Sequence, residues 1–177
     1  MFENEYVIQG RHAKFLKFLS QSPTREDSAT KNSAKLFERY IDAYMNAALF
    51  GLLYSRKAES EYSPNNRVHI NFNREREKCI FLYRLVMLLD ETENLSVDDK
   101  INRAFRYDNS TAEELQKNIE LFNDYVRGGL EDMYEKFTEN CLSPEDYLEK
   151  TFEVISAFQK DLEGVSKEEI SKLIDEP

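Results

Sequence analysis

The side chains with most chemistry to offer are cationic. Arg56, Lys57, Arg67, Arg74, Arg76 and Lys78 crowd into residues 54–78, with Tyr54, Tyr62 and Phe72 set among them. Cations that neutralise phosphates, interleaved with rings on which bases stack, are the ingredients of a nucleic-acid surface. Glu59, Glu61, Glu75 and Glu77 occupy the same stretch and cancel most of the excess charge. The segment therefore reads first as a contact surface for a protein partner, carried by Arg56, Lys57, Arg67, Arg74 and Arg76. A helical module that binds nucleic acid through residues 54–78 is the alternative.

Signatures of catalysis are missing. The chain has no glycine-rich phosphate loop, no Gly-x-Ser-x-Gly elbow, no His-Glu-x-x-His and no Cys-x-x-Cys. Asp98-Asp99-Lys100 has the form of the tail of a metal-dependent nuclease motif. It follows Ser96, however, so both acids fit the first turn of a helix, where the positive dipole end favours them. His12 sits among Arg11, Lys14 and Lys17 and reads as an exposed or capping residue, and neither it nor His69 has acids clustered around it. The expectation is a non-enzyme with no catalytic residue, no metal and no cofactor. One further cation stands apart: Arg84 interrupts the apolar run Cys79–Leu89. A buried guanidinium needs an acceptor, and Asp42 is the candidate partner in a buried ion pair.

These residues must be held by helices. Leu36–Tyr54 is amphipathic in its first half and uncharged from Ala47 onward, the pattern of a central helix enclosed on all sides. Asn32 or Ser33 is placed to cap it, after a polar loop over residues 22–33. Cys79–Leu89 forms a second buried helix that should pack on the first, with Cys79 as a buried thiol. Gly10–Gln21 reads as a short helix burying Ala13, Leu16 and Leu19. Arg67–Phe72 alternates Val68, Ile70 and Phe72 on one side and is the single strand-like stretch. It needs a partner, either the Tyr6–Ile8 segment or another molecule.

The second half of the chain carries clear start signals. Ser96 opens a helix expected to bury Val97, Ile101, Ala104 and Phe105. Another start at residues 109–114 leads into Leu115, Ile119, Phe122, Val126, Leu130, Met133 and Phe137, a seam for helix packing. Gly128 and Gly129 interrupt that seam; they kink it, end it, or admit another backbone. Ser143-Pro144-Glu145-Asp146 starts a last long helix. Leu148, Phe152, Ile155 and Leu162 on it, flanked by Tyr147 and Phe158, should pair with the seam as an antiparallel hairpin, and Gly164 should end it.

Composition agrees with a helical reading. Among 177 residues there are only 5 Gly and 4 Pro, 41% hydrophobic and 33% charged residues. Few turn formers argue against a sandwich or barrel. The expected fold is all-α, a single-domain bundle of about five to seven helices around a buried central helix, with at most one short strand pair. The domain spans residues 1–164, and 165–177 form a short helix or frayed tail. No apolar run approaches the roughly 18 residues of a membrane span, and the acidic N-terminus is not a signal peptide; a cytoplasmic location is expected. The net charge of −10 is uneven, with 14 Lys and Arg against 12 Asp and Glu in residues 1–92, and 10 against 22 beyond. Any contact with phosphate therefore falls to the first half.

Three segments taken together, Gly10–Leu16, Phe37–Gly51 and Asn118–Glu131, resemble small all-helical accessory proteins encoded in bacterial DNA-modification and phage-defence clusters. The resemblance implies a subunit without chemistry of its own, working beside a nuclease, an ATPase or an SMC-like partner. It also implies that Tyr125–Gly129 is a contact feature, with Arg127 presented beside the backbone of Gly128 and Gly129.

Overall fold

A computed structural model describes residues 1–3, 5–20, 35–106 and 112–174, with side chains for all of these but residues 112, 144 and 162–174. The elements in chain order are β1 (Tyr6–Gln9), α1 (Gly10–Leu19), α2 (Tyr40–Leu53), β2 (Arg67–Ile70), α3 (Arg76–Leu89), α4 (Val97–Phe105), α5 (Ala112–Thr138) and α6 (Pro144–Ile174). The all-α architecture with one strand pair is the one expected. The described residues divide into two units, the first ending at Tyr134 and the second beginning at Glu135, so that α5 belongs to both.

In the first unit β1 pairs antiparallel with β2, Tyr6 opposite Ile70 and Gln9 opposite Arg67. Val68, Ile70 and Phe72 turn inward, as their alternation requires. The central helix starts four residues later than its apolar pattern, at Tyr40. The backbone N–H groups of Leu36 and Phe37 both donate to the Leu19 carbonyl instead, and Phe37 forms a bridge with Ser20. The proposed caps at Asn32 and Ser33 lie outside the described residues, as do the start signals at 109–111.

Aromatic rings fill the centre of this unit. Tyr44 of α2, Tyr83 of α3 and Phe122 of α5 are fully buried. Phe2 meets Phe72 and Phe122 edge-on, with centroids 5.0 and 5.7 Å apart, and Tyr44 meets Phe72 at 5.6 Å. Such edge-to-face contacts add to area burial because the positive ring edge meets the negative face. Cys79 is buried as expected, and burial pushes its thiol up to about 12.

α5 runs unbroken through Gly128 and Gly129. Of the three roles open to that pair, close approach is the one observed. A Cβ on Gly129 would fall on the Ala47 carbonyl and 2.7 Å from the Gly51 nitrogen, while one on Gly51 would fall on the Tyr125 carbonyl. A Cβ on Gly128 would meet the Arg56 carbonyl. Glycines on both helices let α2 and α5 cross backbone to backbone, and the packing gained offsets the helix propensity that glycine gives up.

In the second unit α6 begins with a reciprocal cap. The Asp146 N–H donates to Ser143 Oγ at 3.2 Å, while the N–H groups of Leu142 and Ser143 donate to the Asp146 carboxylate at 2.9 and 2.7 Å. The helix continues through Gly164 to Ile174 rather than stopping there. Leu148, Phe152 and Ile155, expected to be covered, are exposed.

Candidate functional site

The cations of residues 54–78 do not form one surface. Arg56 turns inward, donating to Glu131 at 3.1 Å with Asp132 3.7 Å away. Lys57 lies 5.5 Å over the ring of Tyr125. Arg76 donates to the Met1 carbonyl at 3.1 Å and lies 3.6 Å from Glu3, and Lys78 holds Glu75 at 2.7 Å. Arg67 and Arg74 are exposed. The connector itself is strapped to the start of α1. The Arg11 N–H donates to Glu61 at 2.7 Å, Ser63 N–H donates to the Gln9 side chain at 3.2 Å, and Gly10 N–H donates to the Asn66 carbonyl at 3.1 Å. Glu61 thus does the work of an N-cap from outside the helix, at the end where a carboxylate is favoured.

Arg127, Gly128 and Gly129, assigned as contact residues, are buried. The Arg127 guanidinium donates to the Ala58 carbonyl at 2.8 Å, to Tyr6 at 2.6 Å, to Glu120 at 2.6 Å and to Asp124. These four bonds all stay within the first unit. The role that fits is a tie between β1, the connector and α5. The physical reason is the glycine pair beside it: a crossing this close seals Arg127 behind the connector.

Asp42 pairs with its neighbour Arg39, at 2.5 and 2.8 Å, not with Arg84. The Arg84 guanidinium instead lies 5.1 Å over the ring of Phe105. α3 leaves Arg84 only half-buried, so a cation–π contact at the protein surface serves it. The buried ion pair of this unit is one that the sequence did not single out. Arg103 of α4 donates to Asp90 at 3.1 Å and to the Met87 carbonyl at 2.7 Å. Asp90 is fully buried and also accepts from Tyr125 OH and Thr92 OH, each at 2.6 Å. A signal was present: Asp90 and Thr92 stand two residues apart just after an apolar helix, the spacing of a side-chain turn that closes a helix end.

His12 is fully buried rather than exposed. Its Nε2 lies 3.0 Å from Glu131, which also accepts from Arg11 at 2.9 Å and from Arg56. Nδ1 has no partner among the described residues. Burial pushes the imidazole below its ordinary range, against the opposing pull of Glu131. Burial likewise disfavours the charged Asp90, but the bonds from Thr92 and Tyr125 outweigh it and hold that carboxyl low.

The two groups act in separate pH windows. The unfolded histidine titrates at about 6.5, so below that pH the unfolded chain takes up the proton first and stability falls. Asp90 contributes stability above about 3.9, the unfolded carboxyl value, and loses it as pH falls through the lower folded value. Urea melts across pH 3–8 should show two steps, and His12→Gln should remove the upper step alone.

Five exposed large apolar side chains of the first unit lie on α3 and α4. Val97, Ile101 and Phe105 recur every fourth residue along α4 and are 73%, 39% and 48% exposed. The expectation that they are buried was wrong, and only Ala104 of that set is inside. Arg103, drawn in by Asp90, rolls the helix so that its apolar stripe lies about a quarter-turn from the inward face. Arg84 over Phe105 joins this stripe to α3, where Phe81 and Leu89 are 65% and 54% exposed. Phe81 also borders a groove of about 420 Å³ with Met45, Leu49 and Leu82, between α2 and α3.

Among the described residues no group of acids, histidines and cysteines could hold a metal ion, and no helix is long and apolar enough to cross a membrane. Comparison with protein-family models, with curated proteins and with solved structures found no match to this chain.

Proposed function

We propose that this chain is a non-enzymatic docking subunit that binds another protein through the apolar face of α3 and α4. The observation that carries this reading is the exposure of Phe81, Leu89, Val97, Ile101 and Phe105 on two helices that pack together. Large apolar side chains gathered on one face mark an interaction surface, whereas scattered ones do not. Arg84 lies within the face and Glu77 and Lys78 border its groove, so the partner it fits presents an apolar surface with charges at its edge. The resemblance to accessory proteins of DNA-modification and phage-defence clusters supplies a setting, a bacterial multiprotein complex with a nuclease, an ATPase or an SMC-like protein beside it.

The test is copurification from the native host. The tagged chain is expected to retain one protein in fixed stoichiometry, and Ile101→Glu or Val97→Glu to release it. Because both positions face solvent, each substitution should change stability by no more than about 0.5 kcal/mol. A chain that runs alone, or a complex indifferent to both variants, would overturn the reading. Retention on DNA at low salt, lost with Arg67→Ala and Arg74→Ala, would favour the nucleic-acid alternative instead.

A further inference from the structure

β2 is paired on one side only, and the register fixes which backbone groups its other side presents. The Gly10 N–H donates to the Asn66 carbonyl at 3.1 Å, one step beyond the pairing of Gln9 with Arg67. Bonded and non-bonded pairs alternate along an antiparallel ladder. Ile8 with Val68 and Tyr6 with Ile70 are therefore the bonded pairs, and the N–H and C=O groups of Arg67 and His69 point away from β1. No hydrogen bond from a described residue reaches those groups. Both residues are exposed, so this edge is open to solvent. β1 differs: Ser60, Glu61 and Tyr62 of the connector stand against it and share with it the walls of a cavity of about 130 Å³. An open strand edge is a template for a further strand.

Charge selects the occupant. Val68 and Ile70 are buried on the inner face, so the side chains of Arg67 and His69 lie on the outer one. Across the ladder Arg67 faces Gln9 and His69 faces Val7. His69 has Glu5 at 2.9 Å, whereas Arg67 has no acid among the described residues. Lys17 adds a cation beside it by donating to the Asn66 side chain at 3.0 Å. A second copy of the chain fits poorly. Self-pairing that bonds both residues sets Arg67 against His69, and a slip of the register sets Arg67 on Arg67 or His69 on His69. None of these gives Arg67 an acid, and like charges directly opposite destabilise a strand pair. We propose that the open edge of β2 takes up an extended segment of a partner protein as an antiparallel third strand, with an acid opposite Arg67 and an uncharged residue opposite His69. This edge shares no residue with the face of α3 and α4, and either can fail without the other.

The probe is the peptide acetyl-Thr-Val-Thr-Val-Glu-Thr-amide, whose Glu and middle Thr fall opposite Arg67 and His69. In a titration of the nitrogen-15-labelled full chain, it should move the backbone amide signals of Arg67 and His69 most, because those N–H groups gain acceptors. Val68 and Ile70, already bonded to β1, should move less. The change should saturate with a Kd of about a millimolar. Methylating the backbone nitrogens of the Glu and the middle Thr should weaken binding at least about tenfold, since those amides donate to β2. Methylating the Val between them, whose N–H points outward, should leave binding unchanged. Replacing the Glu by Lys should weaken binding about fivefold, and Arg67→Glu, at an exposed position, should reverse that preference. Four results would each overturn the proposal: no saturable shift at Arg67 and His69, full binding by the doubly methylated peptide, equal binding of the Glu and Lys peptides, or an unchanged preference in Arg67→Glu. Shifts confined to α3 and α4 would likewise overturn it while leaving the docking face standing.

Discussion

Asp90→Ala is expected to lower the stability of the chain by about 3–5 kcal/mol, the cost of stranding a buried charge. Asp90 is fully buried and gathers Arg103, Tyr125 and Thr92 around one carboxylate. Without it, Arg103 keeps only the Met87 carbonyl, and its Nε already lacks a partner among the described residues. The Tyr125 hydroxyl loses its carboxylate acceptor as well. Thermal melting should fall by about 10 °C or more for a chain of this length. The decisive comparison is the double variant Asp90→Ala, Arg103→Met. Removing both charges leaves no buried ion, so the double variant should be more stable than Asp90→Ala alone, a strongly non-additive result. If the two substitutions add, Arg103 and Asp90 are not coupled and the account fails.

Gly129→Ala carries the second large effect, and here two terms oppose each other. Helix propensity by itself predicts that alanine stabilises an interior helical position by about 1 kcal/mol. The crossing predicts the reverse, because the new methyl would land on the Ala47 carbonyl, a backbone atom that cannot swing aside. Overpacking of that kind costs about 3 kcal/mol, which outweighs the propensity gain and leaves a net loss of about 2 kcal/mol. Gly51→Ala meets the Tyr125 carbonyl in the same crossing and should behave alike. Combined, the two should cost less than their sum, since one separation of α2 from α5 relieves both clashes. Urea melts of the single and double variants measure this. A neutral or stabilised Gly129→Ala would mean that the helices do not touch at residue 129.

How far the sequence revealed this molecule depends on what each signal measures. The two buried helices, the strand pairing of Tyr6–Gln9 with Arg67–Ile70, and the caps at Ser96 and Ser143 were legible. Each is a local pattern with a local cause: apolar periodicity, alternation, or a side-chain oxygen beside orphan N–H groups. The misses share a different cause. Periodicity gives the apolar stripe of α4 but not its roll about the helix axis. That roll is set by Arg103 reaching Asp90, 13 residues earlier in the chain. His12 looked exposed because its sequence neighbours are charged, yet Glu131 is brought to it from the far end of the unit. Arg127 looked presentable because glycines follow it, and those same glycines are what bury it. The candidate contact residues were chosen by charge, and charge does not tell whether a cation faces solvent or a carboxylate of its own chain.

The backbone crossing of α2 and α5 also constrains how the chain is made. Gly51 meets residues that follow it by more than 70 positions, and Phe2, Tyr44 and Tyr83 all await Phe122. During synthesis from the N-terminus, β1 through α4 emerge first, with their aromatic rings uncovered until α5 leaves the ribosome. The slow step of folding is then a single long loop closure, and it comes late. A nascent chain halted after α4 should bind hydrophobic dyes and chaperones markedly more than one released after Tyr134, in which only the face of α3 and α4 stays open. The order of emergence makes α5 the clasp of the first unit.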